Sequence, residues 1–102
     1  MIDESAIQKA VQTLLQETPG CQVIVFGSWG RGEAQPGSDL DLLVIEPEVS
    51  SEYEEMIRLR HLLRAVPFAV DIVVNSRVRF DYWKDTPNTL AWRASREGRL
   101  YE

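Results

Sequence analysis

Cysteine and positive charge are both scarce in this sequence, and no long apolar run occurs. Cys21 is the only cysteine among 102 residues. A lone thiol excludes an intramolecular disulfide and a cysteine-rich metal centre. Eleven lysines and arginines face sixteen aspartates and glutamates, a formal charge of −5. That balance argues against stable binding to bare DNA or RNA, although a metal ion or a local basic patch would still admit a phosphorylated ligand. No apolar segment approaches the ~20 residues of a membrane helix, so no membrane partner is expected. Met1-Ile2-Asp3-Glu4-Ser5 has no basic stretch leading into an apolar one, so no signal peptide is expected and the simplest compartment is the cytoplasm. Repeats, low-complexity tracts and linkers are absent too, and residues 1–102 read as one domain. A domain of this size has no room for a separate substrate-binding domain. Chemistry on something large therefore requires a partner to complete the site.

Hydrophobic residues are 44% of the chain and charged residues 26%. This composition belongs to a globular protein and rules out a disordered one. Ile7, Val11, Leu14 and Leu15 recur at helical spacing, with Asp3 or Ser5 as cap and Pro19-Gly20 as terminator. Cys21 to Phe26 reads as a buried strand, stopped by glycine. Gly27 to Gly37 is a glycine-rich connection with room for a short helical turn. Leu40 to Ile45 reads as a second strand. Ser51 and Glu54 have capping-box spacing for a helix with the apolar stripe Leu59, Leu62, Leu63 and Val66, closed by Pro67. Ala69 to Val74 is a third strand. Thr86-Pro87 looks like a cap with proline at the first helical position, opening a last helix that runs to about Gly98. The order predicts a small α/β (α+β) domain, a mixed β-sheet flanked by helices.

Three aspartates fall in these strands. Asp39 and Asp41 stand two apart at the start of the second, so both are expected on one face, opposite Leu40, Leu42 and Val44. Asp71 interrupts the apolar run of the third. An isolated Asp-x-Asp at a strand end is most simply a turn facing water. Asp71 changes that reading, because a carboxylate among apolar neighbours is costly unless paired or bound to metal. Residues i and i+2 on a strand lie roughly 6.5–7 Å apart at Cα. Their carboxylates can converge on one metal ion or bridge two ions about 3.5–4 Å apart. Oxygen-only ligands favour Mg²⁺ or Mn²⁺ over zinc.

Gly27-Ser28-Trp29-Gly30-Arg31-Gly32 follows the first strand directly. Glycines let backbone N–H groups approach phosphate oxygens, Ser28 adds a hydroxyl and Arg31 a permanent charge. The spacing fits neither a P-loop nor a dinucleotide loop, and taken alone the segment reads as a flexible turn.

Together, Gly27-Ser28, ten residues, then Asp39-Leu40-Asp41 resemble the nucleotidyltransferase superfamily that includes DNA polymerase beta. The stretches Val23 to Gly32 and Ser38 to Val44, with the end Arg96-Glu97-Gly98-Arg99-Leu100-Tyr101, resemble its minimal nucleotidyltransferase (MNT) subgroup. The resemblance implies the polymerase beta-like nucleotidyltransferase fold and ATP as substrate with two Mg²⁺ ions. Asp39 and Asp41 would hold the metals, and Asp71 would complete the cluster and accept the nucleophile's proton. Gly27, Ser28 and Arg31 would bind the nucleotide. Many MNT proteins are antitoxins of HEPN-domain RNase toxins, and some adenylylate a toxin tyrosine. The rival expectation is an antitoxin that neutralises its toxin by binding alone. Trp29-Gly30 departs from the Arg-Ala often found in the family, which leaves the metal site intact.

The remaining residues have plainer readings. His61, among Arg58, Arg60 and Arg64, is expected on a solvated helix face rather than as a functional histidine, and the arginines are expected to face solvent, RNA or an acidic partner. Glu46, Glu48, Glu52, Glu54 and Glu55 are expected to be a solvating surface. Tyr82, Trp83, Trp92 and Tyr101 are expected mostly in the core, with one or two left to anchor a partner. Ser28 lacks the nucleophile elbow of a hydrolase.

Overall fold

The computed structural model describes residues 3–35 and 37–102. Helix α1 (Glu4–Glu17) starts where the Asp3 carboxylate accepts the Ala6 N–H at 2.8 Å, and it buries Ile7, Ala10, Val11 and Leu14. Strand β1 (Gln22–Phe26) runs straight into a short helix, α2 (Gly27–Arg31). Strand β2 (Leu40–Glu46) follows. Helix α3 (Glu52–Leu62) is capped by the Ser51 hydroxyl, which accepts the Glu54 N–H at 3.2 Å. Strand β3 (Val70–Ser76) leads into helix α4 (Arg77–Trp83), and helix α5 (Leu90–Glu97) leads into strand β4 (Arg99–Tyr101).

The sheet order is β3-β2-β1-β4. β1 pairs antiparallel with β2 and with β4, whereas β2 and β3 are parallel. A parallel pair needs a crossover, and α3 provides it. Alternate residues serve opposite faces of the sheet. Val23, Val25, Leu40, Leu42, Val44, Ile72 and Val74 pack with α1 and with Leu59 and Leu63 at the end of α3, forming the larger core. Ile24, Leu43 and Ile45 pack with Phe80 of α4 and Ala91 and Ala94 of α5, forming the smaller one. β2 lies between both cores, and Leu40, Leu42, Leu43 and Val44 have no exposed surface.

Several expectations are corrected. α4 and β4 are short, the one burying only Phe80 and the other no residue, so burial imposes no period on their sequence, and neither is among the predicted elements. The last helix starts three residues later than Thr86-Pro87 implies: the Thr89 hydroxyl accepts the Trp92 N–H at 3.1 Å and donates to the Thr86 carbonyl at 2.8 Å. Asp39 precedes β2, which begins at Leu40. Glu46 is buried and part of no solvating surface. Tyr82 and Trp83 are exposed, because α4 buries only Phe80. Arg58 binds both carboxylate oxygens of Glu55, at 2.6 and 2.9 Å, and the Thr18 hydroxyl at 2.8 Å, tying α3 to the end of α1. No helix among the described residues is long and apolar enough to cross a membrane.

Candidate active site

One row crosses three strands. Phe26 of β1 is in register with Asp41 of β2, and Asp41 with Asp71 of β3. Residues in register on neighbouring strands share a face, and the strands lie roughly 4.8 Å apart. Asp41 and Asp71 therefore stand side by side, on the face that α4 and α5 cover. Asp71 does not carry the burial expected of it. β3 is an edge strand, and the Asp71 side chain is 61% exposed. Its apolar neighbours Ile72 and Val74 serve the opposite face.

Asp41 is the more enclosed of the two. Burial pushes its carboxyl above the usual range, the negative charges of Asp71 and then Asp39 push it further, and Arg31 opposes them. Like charges that repel in a partly desolvated place are the electrostatic condition a cation relieves. Gly27 shows the same crowding in space. Its φ of +68° is in the left-handed region, and a Cβ there would overlap the Asp41 Oδ2. The turn from β1 into α2 thus requires glycine twice, for the backbone and for the carboxylate.

α2 is pressed into place by a second glycine. A Cβ at Gly30 would lie 2.6 Å from the Val25 carbonyl oxygen and 3.2 Å from that of Glu97. Arg31, the last residue of α2, reaches Glu33 and Glu97 at 3.2 Å each and so links α2 to α5. Those carboxylates raise its pKa further, Glu97 foremost. Ser28 is in the first turn of α2, half-buried, and its carbonyl accepts the Glu33 N–H at 2.8 Å.

Phe26, Gly27, Arg31, Asp41, Asp71 and Arg93 are among the residues that line a cavity of about 420 Å³, with Val73 and Leu90 as apolar walls. That volume is within the range of small-molecule sites, roughly 300–1,000 Å³. Of the six residues the sequence singles out, Gly27, Arg31, Asp41 and Asp71 meet there. Asp39 is exposed just outside, its charge still felt at Asp41. Among the described residues no three His, Cys, Asp or Glu side chains form a group arranged for a metal ion. The donors that do converge are oxygens only, a set that suits Mg²⁺ or Mn²⁺.

Sequence reading missed Arg60, Arg93 and Glu97. Arg60 leaves α3 and reaches the Asp71 Oδ1 at 4.0 Å. Leu90, Arg93 and Glu97 share one face of α5 at spacings of three and four. That periodicity is visible in the sequence, but it does not say that the face covers two carboxylates.

The family model for the nucleotidyltransferase domain matches residues 5–93, which include Gly27, Asp41 and Asp71. The chain belongs to the nucleotidyltransferase domain family. A solved structure described as a minimal nucleotidyltransferase is 33% identical, with a TM-score of 0.60, over 93% of this chain and 89% of that one. This nucleotidyltransferase domain is thus of the minimal type, and its mixed sheet is the polymerase beta-like fold. A toxin–antitoxin structure with AMP-PNP is similar in fold, with a TM-score of 0.59 and 20% identity over 97% of this chain and 72% of that one. Poly(A) RNA polymerase cid14 of Schizosaccharomyces pombe is 33% identical over 79 residues. The nucleotidyltransferase domain spans only 12% of that curated relative's length.

Proposed function

We propose that this chain is a one-domain, cytoplasmic nucleotidyltransferase antitoxin that transfers AMP from ATP to a hydroxyl of a HEPN-domain RNase toxin, a tyrosine, and so neutralises it. The observation that carries this reading is the registered pair Asp41 and Asp71 beside the Gly27 turn, in one cavity. Asp39, Asp41 and Asp71 are the residues that would hold Mg²⁺ or Mn²⁺. Such ions supply charge neutralisation at the α-phosphate and at the departing pyrophosphate. The hydroxyl oxygen attacks the α-phosphorus, the bond to the bridging oxygen breaks, and pyrophosphate leaves. Asp71, open at the sheet edge, would take the hydroxyl proton. Ser28, beside the cavity rather than in its lining, and the backbone after Gly27 would bind the phosphates, and Val73 and Leu90 would keep water from one side of the cavity. AMP-PNP in the toxin–antitoxin relative supports ATP as the nucleotide, and that relative's assembly supports a toxin as the partner.

One observation favours the binding-only antitoxin: the described residues contain no complete three-carboxylate group. A single experiment separates the two readings. The purified chain is mixed with its partner, ATP and Mg²⁺, and the partner is weighed by mass spectrometry. Added AMP mass is expected. A partner that is neutralised without gaining mass would overturn the enzyme reading.

A further inference from the structure

Three arginines line the cavity, and they are not equivalent. Arg31 is already held by Glu33 and Glu97. Arg60 leans on Asp71 at 4.0 Å. Arg93 makes no ion pair and no side-chain hydrogen bond among the described residues, yet it shares the cavity with Asp41 and Asp71. We propose that Arg93, and not Arg31, grips the triphosphate tail of the nucleotide, while Arg31 is a strut that fixes α2 against α5. This deepens the nucleotidyl-transfer reading above and rests on it.

The argument is one of charge and of placement. Asp41, Asp71 and Glu97 bring three negative charges to the cavity wall, and a triphosphate brings more. If Arg31 turned to the phosphates, it would leave Glu97 unpaired beside an incoming polyanion. Arg93 can turn to them without breaking any ion pair among the described residues. Its guanidinium fork matches phosphate oxygens with two parallel hydrogen bonds, which a point charge cannot do. Its position is also set by packing. α5 is capped by Thr89, buries Ala91 and Ala94, and has its last carbonyl against Gly30 of α2. The backbone position of Arg93 relative to the Gly27 turn is therefore set by the fold, and its exposed side chain is free to turn into the cavity.

Calorimetric titration of the full chain tests this with three ligands in the presence of Mg²⁺: ATP, inorganic tripolyphosphate and AMP. Arg93→Ala is expected to weaken ATP and tripolyphosphate by about tenfold or more, the loss of a charge-assisted pair, and to leave AMP unchanged. Arg93→Lys should recover part of the loss. The melting midpoint of both variants should match wild type, whereas Arg31→Ala should melt earlier. The proposal is overturned if Arg93→Ala binds ATP and tripolyphosphate as wild type does, or if it weakens AMP equally. It is also overturned if Arg31→Ala loses tripolyphosphate without melting earlier. Failure of the underlying reading looks different: wild type then binds no ATP, which removes both, or binds ATP through Arg93 and never adds AMP to the partner, which removes the transfer alone.

Discussion

The two faces of the sheet are built from the same strands and serve opposite ends. The face toward α1 and α3 is closed and apolar over most of its area, with Glu46 at one end. The face toward α4 and α5 is apolar only over part of its area, and the rest is the carboxylate cavity. β2 displays the contrast within seven residues. Asp41 near its start faces the cavity, and Glu46 at its end faces α3. Both carboxyls are raised by burial and by neighbouring acids. Glu46 sits beside Glu55, which the Arg58 guanidinium holds, and its buried Oε2 finds no hydrogen-bond partner among the described residues. Asp41 has only more carboxylates and an arginine committed elsewhere. Neither acid is fully satisfied, but α3 closes over Glu46, whereas Asp41 opens on a cavity, and the open end leaves room for a ligand.

The comparison breaks most visibly at Asp41. Asp39→Asn with Asp41→Asn keeps side-chain size and removes two charges from the open face. Transfer of AMP should become undetectable, since electrostatic groups of this kind carry on the order of 10²-fold each. The melting midpoint should stay or rise, because repulsion is relieved. A variant that loses transfer only because it melts below the assay temperature would remove these residues from the site. Leu42→Ala tests the other face. Leu42 is fully buried in the larger core, and its truncation should cost about 2–5 kcal/mol in a denaturant titration. Transfer per folded molecule should be preserved. A loss below 1 kcal/mol would mean that the closed face is not the source of stability.

Gly27→Ala sits between these cases. The left-handed φ costs an alanine about 1–2 kcal/mol, and its Cβ must displace the Asp41 carboxylate. Activity should fall much further than stability. Equal losses, compared by parallel melting and transfer assays, would mean that Gly27 serves only the turn.

What the sequence shows follows the same division. α1, β1, β2 and α3 belong to the closed face, where burial imposes a period on the residues, so Ile7, Val11 and Leu14 or Leu40, Leu42 and Val44 announce their element. α4 and β4 have one buried residue and none, and so left no pattern. Asp41 and Asp71 were legible as odd residues in apolar runs, although the reason differed. Asp71 is tolerated because its strand is an edge, a fact of topology that no local pattern encodes. Glu46 was misread for the complementary reason. It stands in a row of glutamates, and only the docking of α3 buries it.

The smallest effect concerns Glu46, and it turns on pH. Burial, then the neighbouring Glu55 carboxylate, push the Glu46 carboxyl up to about 7, while Arg58 foremost holds Glu55 down at about 2. Cys21, the other titratable group beside Glu46, has its thiol raised by burial and so stays protonated over this range. Between about 4.5, the ordinary glutamate value, and about 7 the folded chain keeps a proton at Glu46 that the unfolded chain releases. The folded state binds more protons there, so stability from this group is full below about 4.5 and is lost as pH rises through 7. Glu55 has the opposite sign: its contribution is present above about 4.5 and is lost as pH falls toward 2. Glu46→Gln removes the titrating group and offers an amide donor beside Glu55 at every pH. Denaturant titrations from pH 5 to 8 should show wild type losing on the order of 2 kcal/mol more than this variant, which should be the more stable protein at pH 8. Parallel curves for the two proteins would show that Glu46 is ionised in the fold already at pH 5, and that Arg58 serves both carboxylates at once.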